Sequence, residues 1–158
     1  MRTADDEVDT LRDLLSGAEA GSTPLLPLLQ AVKQRVGHVS PGAIRMVAQA
    51  LNLSRAEVHG VVSFYGDLRE APVGRHVVQV CMAEACQSVG CRALMRHAAQ
   101  ALGVSAGTTT SDGRVHLEAV YCLGNCALGP AVRIGDRVHG AVTPARFDAL
   151  IAQLGGTA

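Results

Sequence analysis

The chain has 158 residues, 14 basic against 14 acidic side chains, 48% apolar residues and only two Phe, two Tyr and no Trp. Balanced charge without a Lys/Arg block, and so few aromatic rings, exclude the electrostatic footprint and the stacking platform of a nucleic-acid binder. No apolar run reaches the roughly 18 residues that a membrane span needs.

The start, Met1-Arg2-Thr3-Ala4-Asp5-Asp6-Glu7, is acidic and has no hydrophobic stretch of the kind that directs secretion. The expected compartment is therefore cytoplasmic. Thiols stay reduced there, so clustered cysteines read first as metal ligands or redox groups. The odd count of five cysteines also speaks against a fully paired disulfide framework.

Residues 1–20 read as a short polar helix ending near Gly21; its apolar residues Val8, Leu11, Leu14 and Leu15 suit docking on a partner or fraying. Thr23-Pro24 opens the next helix, with Thr as N-cap and Pro at the first helical position. Leu25, Leu28, Leu29, Val32 and Val36 follow at helical spacing, and Gly37 ends the run. Ser40-Pro41 repeats the start signal ahead of Ile44, Val47, Ala48 and Leu51. Ser54-Arg55-Ala56-Glu57 is a capping box that starts a helix to about Tyr65. Helices this short, joined by such short turns, are expected to pack as a small antiparallel bundle over residues 1–72, with its apolar segment Val58, Val61, Val62, Phe64 and Tyr65 as a partner-docking surface. Phe64 and Tyr65 are adjacent and cannot both face inward on one helix.

Residues 69–74 break the helical pattern and mark the expected domain boundary. From there to residue 158 the character changes. Residues 76–80 are β-branched and read as a strand ending at Cys81. A helix follows from about Gly90, carrying Leu94, Ala98, Ala101 and Leu102. Residues 115–120 alternate as a second strand that ends just before Cys122. Residues 131–134 and 138–140 suggest two short strands about a Gly135-Asp136 turn. Thr143-Pro144 caps a last helix with Phe147, Leu150, Ile151 and Leu154 on its inner side. The fold class is α+β, in the order β-α-β-β-β-α behind the helices.

The cysteines form Cys81-x4-Cys86, a gap of 35 residues, and Cys122-x3-Cys126. Loops at strand ends project from one sheet edge, so the two pairs can converge. Four thiolates suit a [2Fe–2S] cluster, each iron taking two. Soft sulfur ligands select Fe–S clusters, Zn or Cu(I). Structural zinc pairs span x2 to x4, so zinc stays compatible, x2 being its stronger sign. Small residues in the loops (Ala83, Ala85, Gly124, Ala127, Gly129) favour the cluster, because amide N–H groups can approach the sulfurs and tune them. So does a helix starting just after Cys86, whose N-terminal dipole favours negative charge. A thioredoxin-type C-x-x-C is absent. A Rieske centre needs two His ligands, and no Cys-x-His occurs. Cys91 reads as a small buried residue, the six His as surface or packing residues, and Glu84 as solvated. The chain shows no Ser/His/Asp set and no phosphate-binding loop.

The segments Val80-Cys81-Met82-Ala83-Glu84-Ala85-Cys86-Gln87-Ser88-Val89-Gly90 and Tyr121-Cys122-Leu123-Gly124-Asn125-Cys126-Ala127-Leu128-Gly129-Pro130-Ala131 resemble the cluster loops of the small [2Fe–2S] subunit family found in the NADH-oxidising (diaphorase) module of respiratory complex I. Residues 50–65, from Ala50 to Tyr65, share the resemblance, which spans about Thr23 to Leu154. Met-Ala-Glu-Ala between the first cysteines and Gln-Ser-Val-Gly after them are most similar to the gamma subunit of molybdenum-containing, NAD-dependent formate dehydrogenase.

The resemblance implies a thioredoxin-like [2Fe–2S] ferredoxin domain behind a helical bundle, with one cluster held by Cys81, Cys86, Cys122 and Cys126. Cys91 stands where such subunits more often carry a small non-cysteine residue, and no role is carried onto it. The implied partners are a flavoprotein subunit with FMN, NAD(H) and a [4Fe–4S] cluster, and a large molybdenum-containing catalytic subunit. The implied role is electron transfer within a complex that converts formate and NAD+ to CO2 and NADH, with no substrate site on this chain. The equivalent subunit of complex I or of a NAD-linked hydrogenase is the alternative reading.

Overall fold

Residues 4–155 are described, from a computed structural model. The chain divides into two compact units, Met1–Pro72 and Val73–Ala158.

The first unit is helical. It contains α1 (Ala4–Leu15), α2 (Leu25–Val36), α3 (Pro41–Leu51) and α4 (Arg55–Phe64). Cap chemistry sets the later starts. The Ser40 hydroxyl accepts from the Ala43 amide. Ser54 and Glu57 exchange both bonds of a capping box. The start of α2 differs from expectation. Pro24 is its N-cap and makes no side-chain cap bond, while the Thr23 hydroxyl accepts from the Glu19 amide and closes the preceding turn instead. Pro lacks an N–H, so its place before the first helical residue costs the helix nothing. Gly37 ends α2 at φ +96, a left-handed conformation that glycine adopts without strain.

Leu11, Leu29, Val32, Val39, Val47 and Val58 are buried together in this unit's core. Leu11 settles the role of α1: the helix buries its apolar side within its own unit, packed on α2 and α3. Glu7 reinforces it by accepting from the Ser40 hydroxyl at the start of α3. Frayed or partner-bound exposure of Leu11 is therefore corrected; burying a leucine of this size is worth about 1.5–3 kcal/mol.

The second unit is α+β. In chain order it has β1 (His76–Cys81), α5 (Glu84–Ser88), α6 (Cys91–Leu102), β2 (Thr108–Thr109), β3 (Val115–Val120), a 3₁₀ turn (Cys126–Leu128), β4 (Val132–Ile134), β5 (Arg137–His139) and α7 (Pro144–Gln153). The five strands lie in the order β2-β3-β1-β4-β5. β1 pairs in parallel with β3, Cys81 opposite Val120, and antiparallel with β4. α6 packs on β1, β3 and α7. Val78, Val80, Leu94, Val115, Leu117, Val132 and Phe147 form the core, Phe147 with no exposed surface. The Thr143 hydroxyl caps α7 by accepting from the Arg146 amide.

Two elements depart from the sequence expectation. β2 is two residues long, too short to show an alternation, and pairs with His116 and Leu117 of β3. α5 carries Cys86 inside it, and α6 opens only at Cys91 after Gly90 turns left-handed at φ +95. The helix expected from about Gly90 is α6; the correction concerns Cys86, which lies inside the short separate helix α5 and not just ahead of a longer one.

Candidate metal centre

A parallel strand pair decides where the cysteines go. β1 and β3 are neighbours running the same way, so both C-terminal ends reach one edge of the sheet. Cys81 is the last residue of β1, and Cys122 follows β3 by two residues. The departing backbone is pinned on both sides: the Cys81 amide donates to the Ala131 carbonyl at 2.9 Å and the Met82 amide to Val120 at 2.7 Å. Cys86 is carried back toward Cys81 by α5, and the Gln87 side chain donates to the Met82 carbonyl at 2.8 Å, closing that loop on itself.

The second loop contains both strain and close approach. Cys122 holds φ +81, rare for a residue with a side chain, and Gly124 holds φ +77. The Gly124 amide points back at the Cys122 sulfur, 3.4 Å away. The sulfurs of Cys122 and Cys126 stand 3.8 Å apart. The two loops meet. Gly129, three residues past Cys126, lies so near Cys86 that a methyl group there would come within 3.4 Å of the Cys86 sulfur. α5 packs on the 3₁₀ turn that starts at Cys126.

The sites differ in solvent and in charge. Cys81 and Cys86 are buried, in one cluster with Cys91 and Ala131, whereas Cys122 and Cys126 are exposed. Burial pushes the Cys81 thiol upward, but amides of Ala83, Cys122 and Leu123, together with Cys86, outweigh it and leave the thiol below its ordinary range. Burial raises Cys86 and Cys91. Cys126 is raised by its bond to Cys122 and the charge there. Amides from both loops thus reach Cys81, the environment that favours thiolate over thiol.

This donor set fits a two-iron centre. A tetrahedral metal with sulfur bonds of about 2.3 Å spaces its ligand sulfurs roughly 3.8 Å apart, the separation of Cys122 and Cys126. A two-iron cluster asks each iron for two thiolates, which is a set of pairs. The amide on Cys122 and those on Cys81 supply the hydrogen bonds that stabilise sulfur-borne negative charge.

Other candidate residues lie where the sequence pattern places them. Glu84 is exposed. His59, His97 and His116 pair with Glu70, Asp148 and Thr109. Cys91 has no exposed surface. A cleft lined by Arg45, Gln49, Asn52 and Arg55 lies in the helical unit and holds no thiol or carboxylate. No described helix is long and apolar enough to cross a membrane. Two residues that shape the cysteine loops are not evident from the sequence, Gly140 and Arg146. Gly140 carries a faint signal, a glycine just after a strand; Arg146 carries none.

Parallel neighbours thus bring paired thiols to one edge of a mixed sheet, a donor set that an iron–sulfur centre of ferredoxin type would use. The chain belongs to the thioredoxin-like [2Fe–2S] ferredoxin family, whose profile matches residues 11–155. It is 39% identical over 116 residues to an NADH-quinone oxidoreductase subunit of Pseudomonas aeruginosa, covering 73% of this chain and 70% of that one. It is 33% identical over 153 residues to NADH-quinone oxidoreductase subunit 2 of Thermus thermophilus, covering 95% and 84%. Among solved structures, a chain of an NAD+-reducing [NiFe]-hydrogenase in the H2-reduced state matches with a TM-score of 0.73 at 25% identity, over 85% of this chain. This chain spans 22% of the length of that hydrogenase chain.

Proposed function

We propose that this chain carries one [2Fe–2S] cluster on Cys81, Cys86, Cys122 and Cys126 and serves as the electron-transfer subunit of a cytoplasmic, NAD-linked oxidoreductase. The observation that carries the reading is the meeting of the two cysteine loops, with Gly129 against Cys86 and the Cys122 and Cys126 sulfurs 3.8 Å apart. When bound, the cluster supplies a one-electron carrier. This chain's part is to hold four thiolates at fixed spacing, direct amides at them, and keep one pair out of water while the other meets the surface. Visible absorption, iron and acid-labile sulfide in the purified chain, and an EPR signal on reduction, test the reading. A colourless chain binding zinc alone overturns it.

The finer assignment is the gamma subunit of a formate dehydrogenase, beside a flavoprotein subunit that binds FMN, NAD(H) and a [4Fe–4S] cluster and a large molybdenum-containing subunit. It rests on the Met-Ala-Glu-Ala and Gln-Ser-Val-Gly sequences around the first pair. The second reading, a subunit of NADH-quinone oxidoreductase or of a NAD-linked hydrogenase, is favoured by the relatives above. Co-purification from the native source, followed by assays with formate, NADH and hydrogen, separates the two. NAD+ reduction by formate in the isolated complex supports the first, and its absence alongside NADH oxidation or hydrogen turnover overturns it.

A further inference from the structure

Three described non-glycine residues hold a positive φ: Asn52, Cys122 and Ala141. Asn52 is the C-cap of α3, where that conformation is common. The other two belong to facing segments of the second unit. Conformations of this kind are unfavourable and persist only where the surroundings hold them.

What holds Ala141 is the cysteine loop. At φ +48 its amide donates to the Leu128 carbonyl at 2.6 Å, and the next amide, of Val142, donates to Pro130 at 3.0 Å. Gly140 lies flat against the same loop. A methyl group there would stand 2.6 Å from the Asn125 side-chain nitrogen and 2.7 Å from Leu128 Cβ. Residues 140–142 therefore form a mould along residues 125–130, the segment that includes Cys126. Arg146 in the first turn of α7 closes the mould from behind, its Nη1 donating to the Gly140 carbonyl at 2.8 Å.

We propose that Arg146 is a positioning residue for the second thiol pair. Acting through Gly140 and Ala141, it holds the Cys126 turn so that the two sulfurs keep their 3.8 Å spacing. Its guanidinium also brings a positive charge to the Gly140 carbonyl, and positive charge near the centre favours its more negative, reduced form. The inference rests on the cluster assignment above and goes beyond it by naming what sets the geometry of one ligand pair.

The experiment uses the full chain with its cluster and two variants, Arg146→Met and Arg146→Lys. Thermal unfolding verifies folding, iron release to a chelator is timed, and the midpoint potential is read by EPR-monitored titration. Arg146→Met is expected to release iron several-fold faster, less than the roughly 10–100-fold loss that follows removal of a group bonded directly to a ligand, and to move the midpoint to more negative values. Arg146→Lys keeps the charge, but its ammonium sits one bond nearer the backbone than Nη1, which makes the single bond to Gly140. It is expected to release iron faster than wild type with a midpoint near the wild-type value. Should the Met variant not fold, Arg146→Gln, uncharged and shorter, takes its place, and wild-type release there overturns the positioning role. Wild-type release and midpoint in the Met variant overturn the inference alone, whereas a wild-type chain that binds no iron overturns the cluster assignment and this inference with it.

Discussion

Gly129 and Cys86 touch across the two cysteine loops: a Cβ at 129 would stand 3.4 Å from the Cys86 sulfur and 2.8 Å from Val89 Cγ2. This contact links the half of the centre that is buried to the half that is exposed. The exposed Val89 methyl can swing away, and 3.4 Å from the buried Cys86 sulfur is the near edge of ordinary contact, so one added carbon just fits and a branched side chain does not. Gly129→Ala is therefore expected to be tolerated, whereas Gly129→Val is expected to destabilise the second unit by about 1–3 kcal/mol, the usual cost of overpacking. Its iron content should fall with it. Unchanged melting temperature and iron content together would count against the loops meeting here.

The four proposed ligands and the fifth cysteine should behave oppositely. Cys→Ser at 81, 86, 122 or 126 is expected to lose the cluster or make it labile, because an alcohol is a poor substitute for a soft thiolate. Cys91 shares the buried cluster of Cys81 and Cys86 but has no place in either pair. Cys91→Ala should keep the visible spectrum at a stability cost of about 1 kcal/mol, typical of a trimmed core side chain. Iron and sulfide analysis of the five variants decides it, and loss of colour in Cys91→Ala would reopen the ligand assignment.

Phe64 is 79% exposed and Tyr65 41%, their rings packed edge to face at 5.1 Å. Of the expected docking segment, Val58 and Val62 are instead buried in the helical core with Val61 packed against it, so only Phe64 and Tyr65 remain at the surface. An exposed aromatic pair is costly to leave in water and is the kind of residue that anchors an interface. Charges placed at both, as Phe64→Asp with Tyr65→Lys, are expected to leave the stability within about 0.5 kcal/mol of wild type. The flavoprotein partner should dissociate. Intact co-purification of the double variant would remove this surface from the assembly.

The capping box at the start of α4 should make that helix sensitive to acid. The Ser54 hydroxyl, and then the Ser54 amide, donate to Glu57 and hold its carboxyl below the usual carboxylate range. A folded-state value below the unfolded one means that ionised Glu57 stabilises the fold. That contribution is complete above the unfolded value, about 4.3, and is lost as pH falls through the lower, folded value. Melts at pH 7 and at pH 3 should therefore differ less in Glu57→Gln than in wild type. Ser54→Ala removes the cap itself and is expected to cost about 1 kcal/mol at pH 7. Equal acid sensitivity in Glu57→Gln and wild type would show that the box carries no linked proton.

Much of the local structure was legible because its causes are local. Ser40, Ser54 and Thr143 announce helix starts by chemistry completed within three residues, and all three hydroxyls accept the expected amide. The β-branched run before Cys81 and the alternation from Val115 to Val120 are strands within a residue of where the pattern puts them. Thr23 misled for the same local reason. Its hydroxyl had two amides in reach, and the preceding turn took it.

By itself, then, the sequence determined which donors are on offer: soft thiols, paired, each pair at a strand end. Their meeting was decided only by the tertiary structure, because a gap of 35 residues carries no statement of which strand lies beside which. Parallel pairing of β1 with β3 brings the loops to one edge. A glycine at 129 lets them close, and a strained turn at 140–142 under Arg146 fixes the outer pair. Contacts between residues so distant in the chain depend on how the whole sheet and its helices pack, which no local pattern records.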